Sequence, residues 1–247
     1  MRTICIINQK GGVGKTTTSI NLAAGLSRKD KKVLLIDLDP QGNIDTSLKV
    51  KAEGDLYEAI IGNQVIQQCI TNIATNFDVI TSKQSLNEAE SFILEQEKPT
   101  SFLEKLFKGV NGYDFMIMDC PPSMGILNQN ALSFCKEAFI PVSTDYLGFE
   151  ALKNMIQIIQ ESNIKNGNEI KISKIIPTLY DRRNKICKET LAELQTEFSQ
   201  LCSYPININS KLKEAPKYGK SIFSYAGSNR GSKDYAQLVE EILAMSS

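Results

Sequence analysis

The sequence predicts an α/β fold: a doubly wound, mostly parallel sheet with helices on both faces. Three observations point to it. Short apolar runs alternate with longer stretches of helical period along most of the 247 residues. Several runs are continuous, such as Val-Leu-Leu-Ile at 33–36 and Phe-Met-Ile-Met at 115–118, which suits strands covered on both faces. The first run ends in a glycine-rich loop that opens a helix, the unit on which parallel sheets present their ligand sites.

In chain order, the apolar runs predict strands at 3–8, 32–38, 77–81, 113–119, 138–143 and 172–179, with a weaker seventh at 204–208. The stretches between them predict helices at 15–28, 84–95, 101–108, 123–134, 149–162, 183–199 and 233–245. The last helix places Tyr235, Leu238, Val239, Ile242 and Leu243 on one side and carries Asp234, Glu240 and Glu241 with a single lysine. Anionic lipid would repel such a helix, so it is expected to dock on the core rather than on a membrane. No repeat, low-complexity tract or Pro/Gly-rich linker interrupts the pattern, and residues 1–247 read as one domain.

Composition narrows the function. Hydrophobic content of 42% and charged content of 23% suit a globular chain and exclude disorder. There is no histidine, which excludes imidazole acid–base chemistry and His-ligated metals. The six cysteines form no Cys-x-x-Cys pair, and no signal peptide precedes them, so reduced thiols and a cytoplasmic location are expected. No apolar run reaches membrane length. Formal net charge is zero, yet residues 165–233 hold 13 of the 28 basic residues and 6 of the 28 acidic ones. That segment is a candidate anion-facing surface.

The chemistry concentrates at Lys10–Thr17, Lys-Gly-Gly-Val-Gly-Lys-Thr-Thr. Gly11, Gly12 and Gly14, with Val13 between them, let the backbone wrap tightly with its N–H groups inward. The helix N-terminus adds its positive end, and Lys15 a full charge for the β- and γ-phosphates. Thr16 places a hydroxyl where a Mg²⁺ ion bridging two phosphates would sit, and Thr17 can donate to the α-phosphate. The pattern predicts Mg-ATP as the ligand. Asp119 ends a buried strand at the edge where ligands sit in such sheets, and its carboxylate is positioned to hold Mg²⁺ through water. Asp37 and Asp39 follow another buried strand and flank the same crevice. With no histidine available, Asp39 is the choice for orienting the attacking water beside the metal, since phosphoryl transfer needs positioning more than a strong base. Asp37 is either a second such group or an anchor for the loop.

One departure from the ordinary P-loop is informative. Position 9 is Gln rather than Gly, and a second lysine, Lys10, follows it. That lysine marks the deviant Walker A group, and here the sequence resembles the ParA/MinD family of P-loop NTPases. Asp-Leu-Asp-Pro-Gln-Gly-Asn at 37–43 resembles the family's switch I, and Asp-Cys-Pro-Pro-Ser at 119–123 its Walker B and switch II. Ile-Pro-Val at 140–142, Tyr-Asp-Arg-Arg at 180–183, Glu-Ala-Pro at 214–216 and Gly-Lys-Ser-Ile at 219–222 resemble the Soj-type ParA branch, so the likeness covers nearly the whole chain. It implies that Lys10 reaches across a dimer interface to the partner's ATP, with Gly12 at the subunit contact, so that hydrolysis-competent ATP binding goes with a homodimer. It also implies that Arg183 and Lys211, supported by Arg182 and Lys213, contact DNA phosphates without reading sequence. Where the family has Pro-Arg-Asn before this loop, the chain reads Asn207-Ile208-Asn209.

The resemblance then implies a partitioning ATPase of bacterial cytoplasm, associated with the nucleoid. ATP would drive formation of a sandwich dimer on double-stranded DNA, and a ParB-type centromere-binding partner would stimulate slow hydrolysis and release. With the P-loop strand at the chain's start, an upstream helix-turn-helix of the long plasmid type is not expected. The alternative is a MinD-like, ATP-switched regulator acting at the membrane, which the missing basic amphipathic tail disfavours. A third comparison, the iron–sulfur cluster of the related nitrogenase iron protein, rests on Cys120 and Cys135. Cys120 sits within Asp-Cys-Pro-Pro, where the family uses a small buried residue.

Overall fold

The computed structural model describes residues 1–245. Its sheet has seven strands: β1 (Arg2–Ile6), β2 (Val33–Asp37), β3 (Thr71–Ala74), β4 (Phe77–Ile80), β5 (Phe115–Asp119), β6 (Glu137–Ser143) and β7 (Lys171–Thr178). Their order is β3-β4-β2-β5-β1-β6-β7. All neighbours are parallel except β3, which pairs antiparallel with β4.

The continuous apolar runs have a simple origin. Side chains alternate between the two faces of a strand, and here both faces are covered. Leu34, Ile36, Met116 and Met118 join one core with the helices α4 (Leu86–Leu94), α6 (Ile126–Phe134) and α7 (Tyr146–Asn166). Val33, Leu35, Phe115 and Ile117 join the other, with α1 (Lys15–Ser27) and α11 (Arg230–Ala244). The expected docking of the last helix is observed. Tyr235, Leu238, Val239 and Ile242 of α11 are buried, and a Cβ on Gly25 of α1 would lie 2.5 Å from Val239.

Three features differ from the sequence reading. Strand β3 has no apolar run of its own (Thr-Asn-Ile-Ala) and is held by a tight turn in which Asn76 takes φ +58°. The segment 204–208 is no ladder strand. It follows the edge of β7 through isolated bridges, Ile175 with Cys202 and Tyr180 with Asn207. Ile175 N donates to Leu201 O, but the next donor due in a parallel register belongs to Pro177, which has no N–H, so the ladder breaks there. Short helices also join the long ones, α2 (Asn43–Leu48), α3 (Leu56–Ile60), α9 (Ser210–Glu214) and α10 (Ile222–Tyr225), while the helix expected at 101–108 forms as α5 (Phe102–Leu106). The remaining helix, α8 (Lys185–Glu197), begins two residues after Arg183, capped by Asn184. Arg182 and Arg183 therefore lie in the preceding loop, not in the helix.

Candidate phosphate site and the adjoining basic surface

Four strands end at one edge of the sheet on polar side chains: β2 on Asp37, β5 on Asp119, β6 on Ser143 and β7 on Thr178. The β1–α1 loop wraps over that edge. Gly12 and Gly14 take φ +74° and +89°, left-handed values that a side chain at either position would oppose. Gly14 N-caps α1, so the loop turns its N–H groups and the helix end toward one concavity. Thr178 Oγ1 donates to Val13 O (2.7 Å), fixing the loop to the end of β7.

Inside the concavity Lys15 is 8% exposed, and its Nζ donates to Lys10 O at 3.3 Å. Burial pushes its pKa down, while the carboxylates of Asp119 and Asp39 pull it back up. Asp119 is fully buried. Its Oδ1 accepts from Ser19 Oγ (2.8 Å), and its Oδ2 has no hydrogen-bond partner. Burial pushes the carboxyl up to about 6 against the opposing pull of Thr16, Ser19 and Lys15. An orphaned buried carboxylate oxygen beside Thr16 and Lys15 fits a hydrated divalent cation, which would supply the missing partner.

Asp37 stands in register with Asp119 across β2 and β5. Its two oxygens accept from Asp39 N (2.9 Å) and Ile44 N (3.1 Å). It therefore anchors the loop, the second of the two roles left open by the sequence. Burial, then the neighbouring Asp119, pushes its pKa well up. Asp39 is 8% exposed; its Oδ1 accepts from Gln41 N (3.0 Å), and its carbonyl accepts from Ser82 Oγ (2.5 Å). The structure thus gathers Gly11–Thr17, Asp37, Asp39 and Asp119 at one edge.

Lys10 lies against its own chain. Its Nζ donates to Asp145 Oδ1 (2.7 Å) and Ser143 Oγ (3.0 Å), and its N–H to Asn8 Oδ1 (2.9 Å). Asp145 also N-caps α7 through Gly148 N. Sequence reasoning missed Ser19, Ser143, Asp145 and Thr178. The signal for Asp145 was present, an Asp directly after a strand and before a helical run. Cys120 and Cys135 are 1% exposed and join the apolar core with Cys5.

The basic side chains form a neighbouring surface. Ile208 N donates to Tyr180 O (3.0 Å), which sets segment 180–183 beside 207–209. Asn207 is held by Asp234, whose Oδ2 accepts from both its N and its Nδ2 at 2.9 Å. Asn209 N-caps α9 by accepting from Lys211 N (2.9 Å). Asn207 and Asn209 are thus held by hydrogen bonds, and Asn209 starts the short helix that carries Lys211 and Lys213. Arg182, Arg183 and Lys213 are exposed, and Lys211 is partly so.

Comparisons with known proteins agree with this architecture. Residues 1–172 match the AAA domain family AAA_31. The chain is 35% identical to the "Chromosome-partitioning ATPase Soj" of Treponema pallidum, over 98% of this chain and 97% of that one. It is 34% identical to the "Sporulation initiation inhibitor protein Soj" of Bacillus subtilis, over 98% of each. Among solved structures, a putative plasmid partition protein of Borrelia burgdorferi bound to AMPPNP superposes with a TM-score of 0.83 at 25% identity, covering 98% of both chains. With a full-length likeness of this degree and a P-loop carrying the second lysine at position 10, the chain belongs to the ParA/Soj family of P-loop ATPases.

Proposed function

We propose that the protein is a DNA-partitioning ATPase whose residues 1–247 act as one ATP-switched unit. One observation carries this reading: phosphate loop and basic surface share a segment. Thr178 holds Val13, and Tyr180–Arg183 follows within five residues. A change at the loop is thereby in mechanical contact with the surface.

In this reading Lys15 and the loop N–H groups bind the β- and γ-phosphates, and Thr17 the α-phosphate. Thr16 and, through water, Asp119 hold Mg²⁺, with Asp39 beside them; the ion would neutralise charge developing on the transferred phosphoryl group. Asp39 orients the attacking water, and Asp37 fixes Asp39. Lys10 leaves Asp145 to reach the partner subunit's nucleotide, so ATP assembles a homodimer. The dimer doubles the basic surface of Arg182, Arg183, Lys211 and Lys213 and grips double-stranded DNA without reading sequence. A ParB-type partner stimulates an otherwise slow hydrolysis, and the dimer leaves the nucleoid for the cytoplasm.

The MinD-like alternative would need an apolar helix face free for lipid. The apolar side of α11 is already packed on α1, and among the described residues no helix is long and apolar enough to cross a membrane. The test is duplex DNA binding with ATP, ADP or no nucleotide over a salt series, with Lys15→Gln and Arg183→Glu. Binding that needs ATP, weakens steeply with salt and is lost in both variants is expected. ATP hydrolysis without any DNA binding would overturn the reading, and ATP-dependent pelleting with liposomes would replace it with the membrane alternative.

A further inference from the structure

Of the four cations expected to meet DNA phosphates, the leading two, Arg183 and Lys211, already hold a carboxylate. Arg183 Nη2 and Nε donate to Asp181 Oδ2 and Oδ1 at 2.8 and 3.0 Å, a two-pronged pair of the kind a phosphate makes. Lys211 Nζ donates to Glu214 Oε2 at 2.7 Å. Glu214 is itself fixed, since the same oxygen accepts from Tyr225 OH at 2.7 Å. Tyr225 stacks on Tyr218 with ring centroids 5.0 Å apart, and Lys211 Nζ lies 5.8 Å from the Tyr225 ring.

We propose that Asp181 and Glu214 are built-in phosphate mimics that occupy Arg183 and Lys211 in the free protein and set how tightly, and at what salt, the surface takes a polyanion. This rests on the DNA-binding reading above and deepens it. A phosphate that engages either cation displaces a carboxylate that then stays close and repels it. The single subunit is thereby kept weak, and useful affinity comes when two subunits present both pairs together. The placement is local in sequence, at spacings of two and three residues, so it forms before any partner or nucleotide is present. Asp181 is pinned from the backbone as well, accepting from Arg183 N at 2.9 Å. The bonds from Arg183 hold the Asp181 carboxyl down at about 2, and Lys211 and then Tyr225 hold Glu214 below its ordinary value. Both therefore stay ionised across the physiological range.

The pairs are solvent-exposed, with side-chain exposures of 82% for Arg183 and 42% for Lys211, so each mask is modest. Removing one mask is expected to tighten DNA binding by about two- to five-fold, the worth of an exposed ion pair. It should also steepen the dependence of log K on log salt by about 0.9 for each cation freed.

The experiment titrates the full chain, with Mg-ATP, against a mixed-sequence duplex at several salt concentrations. Asp181→Asn and Glu214→Gln remove the charge but keep an oxygen for the Arg183 N–H and the Tyr225 hydroxyl, so the local fold is retained. Glu97→Gln, at an exposed position between α4 and α5 and outside the basic segment, controls for bulk charge. Arg183→Glu and Lys211→Glu report whether these cations meet DNA at all. Tighter binding and a steeper salt slope in the two mask variants, absent in the control, supports the proposal. Unchanged or weaker binding in the mask variants, with Arg183→Glu and Lys211→Glu still damaging, overturns it and makes the carboxylates positioning groups. An equal gain in Glu97→Gln also overturns it. No effect of Arg183→Glu or Lys211→Glu overturns the DNA reading itself, and the masks with it.

Discussion

Lys10 Nζ sits 2.7 Å from Asp145 Oδ1, within its own subunit. The lysine that distinguishes this P-loop is thus parked on the N-cap of α7, which starts at Tyr146. Burial opposes ionisation of Asp145, but hydrogen bonds from Lys10, Ser143 and the Gly148 N–H outweigh it and lower its pKa. The contribution of this pair to stability is present above the ordinary aspartate pKa and fades as pH falls through the lowered one. Asp145→Asn keeps the helix cap and loses the charge. It is expected to leave the fold intact and to raise the fraction of ATP-induced dimer, read by light scattering at fixed concentration. An unchanged dimer fraction would mean that the parked lysine does not limit assembly.

If Lys10 acts on the partner subunit's nucleotide, Lys10→Ala should retain ATP binding while stimulated hydrolysis drops by roughly 10³-fold, as when a trans-acting cation is removed. Mixing Lys10→Ala with a hydrolysis-dead Asp39→Ala subunit then decides where the lysine acts. Activity in the mixed dimer requires that the intact Lys10 serve the other subunit's site.

Asp119 ends β5 with one oxygen unpartnered. Asp119→Asn is expected to weaken Mg²⁺-dependent nucleotide binding by about 10- to 100-fold, the usual effect of removing a group that holds a metal's water ligands. Binding without Mg²⁺ should change far less. Calorimetric titration of ATP with and without Mg²⁺ separates the two, and equal losses in both would assign Asp119 to framework alone.

Asp37 accepts two backbone N–H groups, Asp39 at 2.9 Å and Ile44 at 3.1 Å, while fully buried. Asp37→Ala leaves both donors without a partner and is expected to cost about 2–5 kcal/mol by denaturant unfolding, from the desolvation penalty of each. Asp37→Asn keeps an acceptor and should cost less. Equal stability of wild type and Asp37→Ala would show that the loop finds other partners.

Much of this was legible in the sequence, because parallel strands covered on both faces write themselves as continuous apolar runs. Val33–Asp37 and Phe115–Asp119 were read to within a few residues for that reason. The phosphate loop was legible because glycine adopts the left-handed values at 12 and 14 far more readily than any residue with a side chain. What escaped depends on contacts distant in sequence. Lys10 and Asp145 are 135 residues apart, and Ser19 and Asp119 are 100 apart. The edge at 204–208 escaped because its pairing is decided by Pro177 in the neighbouring strand, not by its own apolar residues. The masking carboxylates at 181 and 214 were close in sequence to their cations, but a charge pattern alone does not show which acids turn back onto them.

The loop that holds Asp39 runs through Gly42 directly into α2, and α2 ends against the basic segment. Gly219 has φ +68°, and a Cβ there would lie 3.1 Å from Lys49 and 3.3 Å from Leu48 O. Gly219 follows the turn Ala215–Tyr218, which packs on α2 and continues from Lys211 and Lys213 of α9. A movement of the Asp37–Ile44 loop therefore reaches the basic side chains through one short helix. Gly219→Ala adds strain of about 1 kcal/mol at a left-handed position and pushes on α2. It is expected to leave ATP affinity within about five-fold, the most that this strain energy can cost, and to reduce the ratio of DNA affinity with ATP to that with ADP. Loss of ATP binding instead would mean that the substitution damages the site rather than the link, and an unchanged ratio would show that the two surfaces communicate by another route, through Thr178 and Tyr180–Arg183.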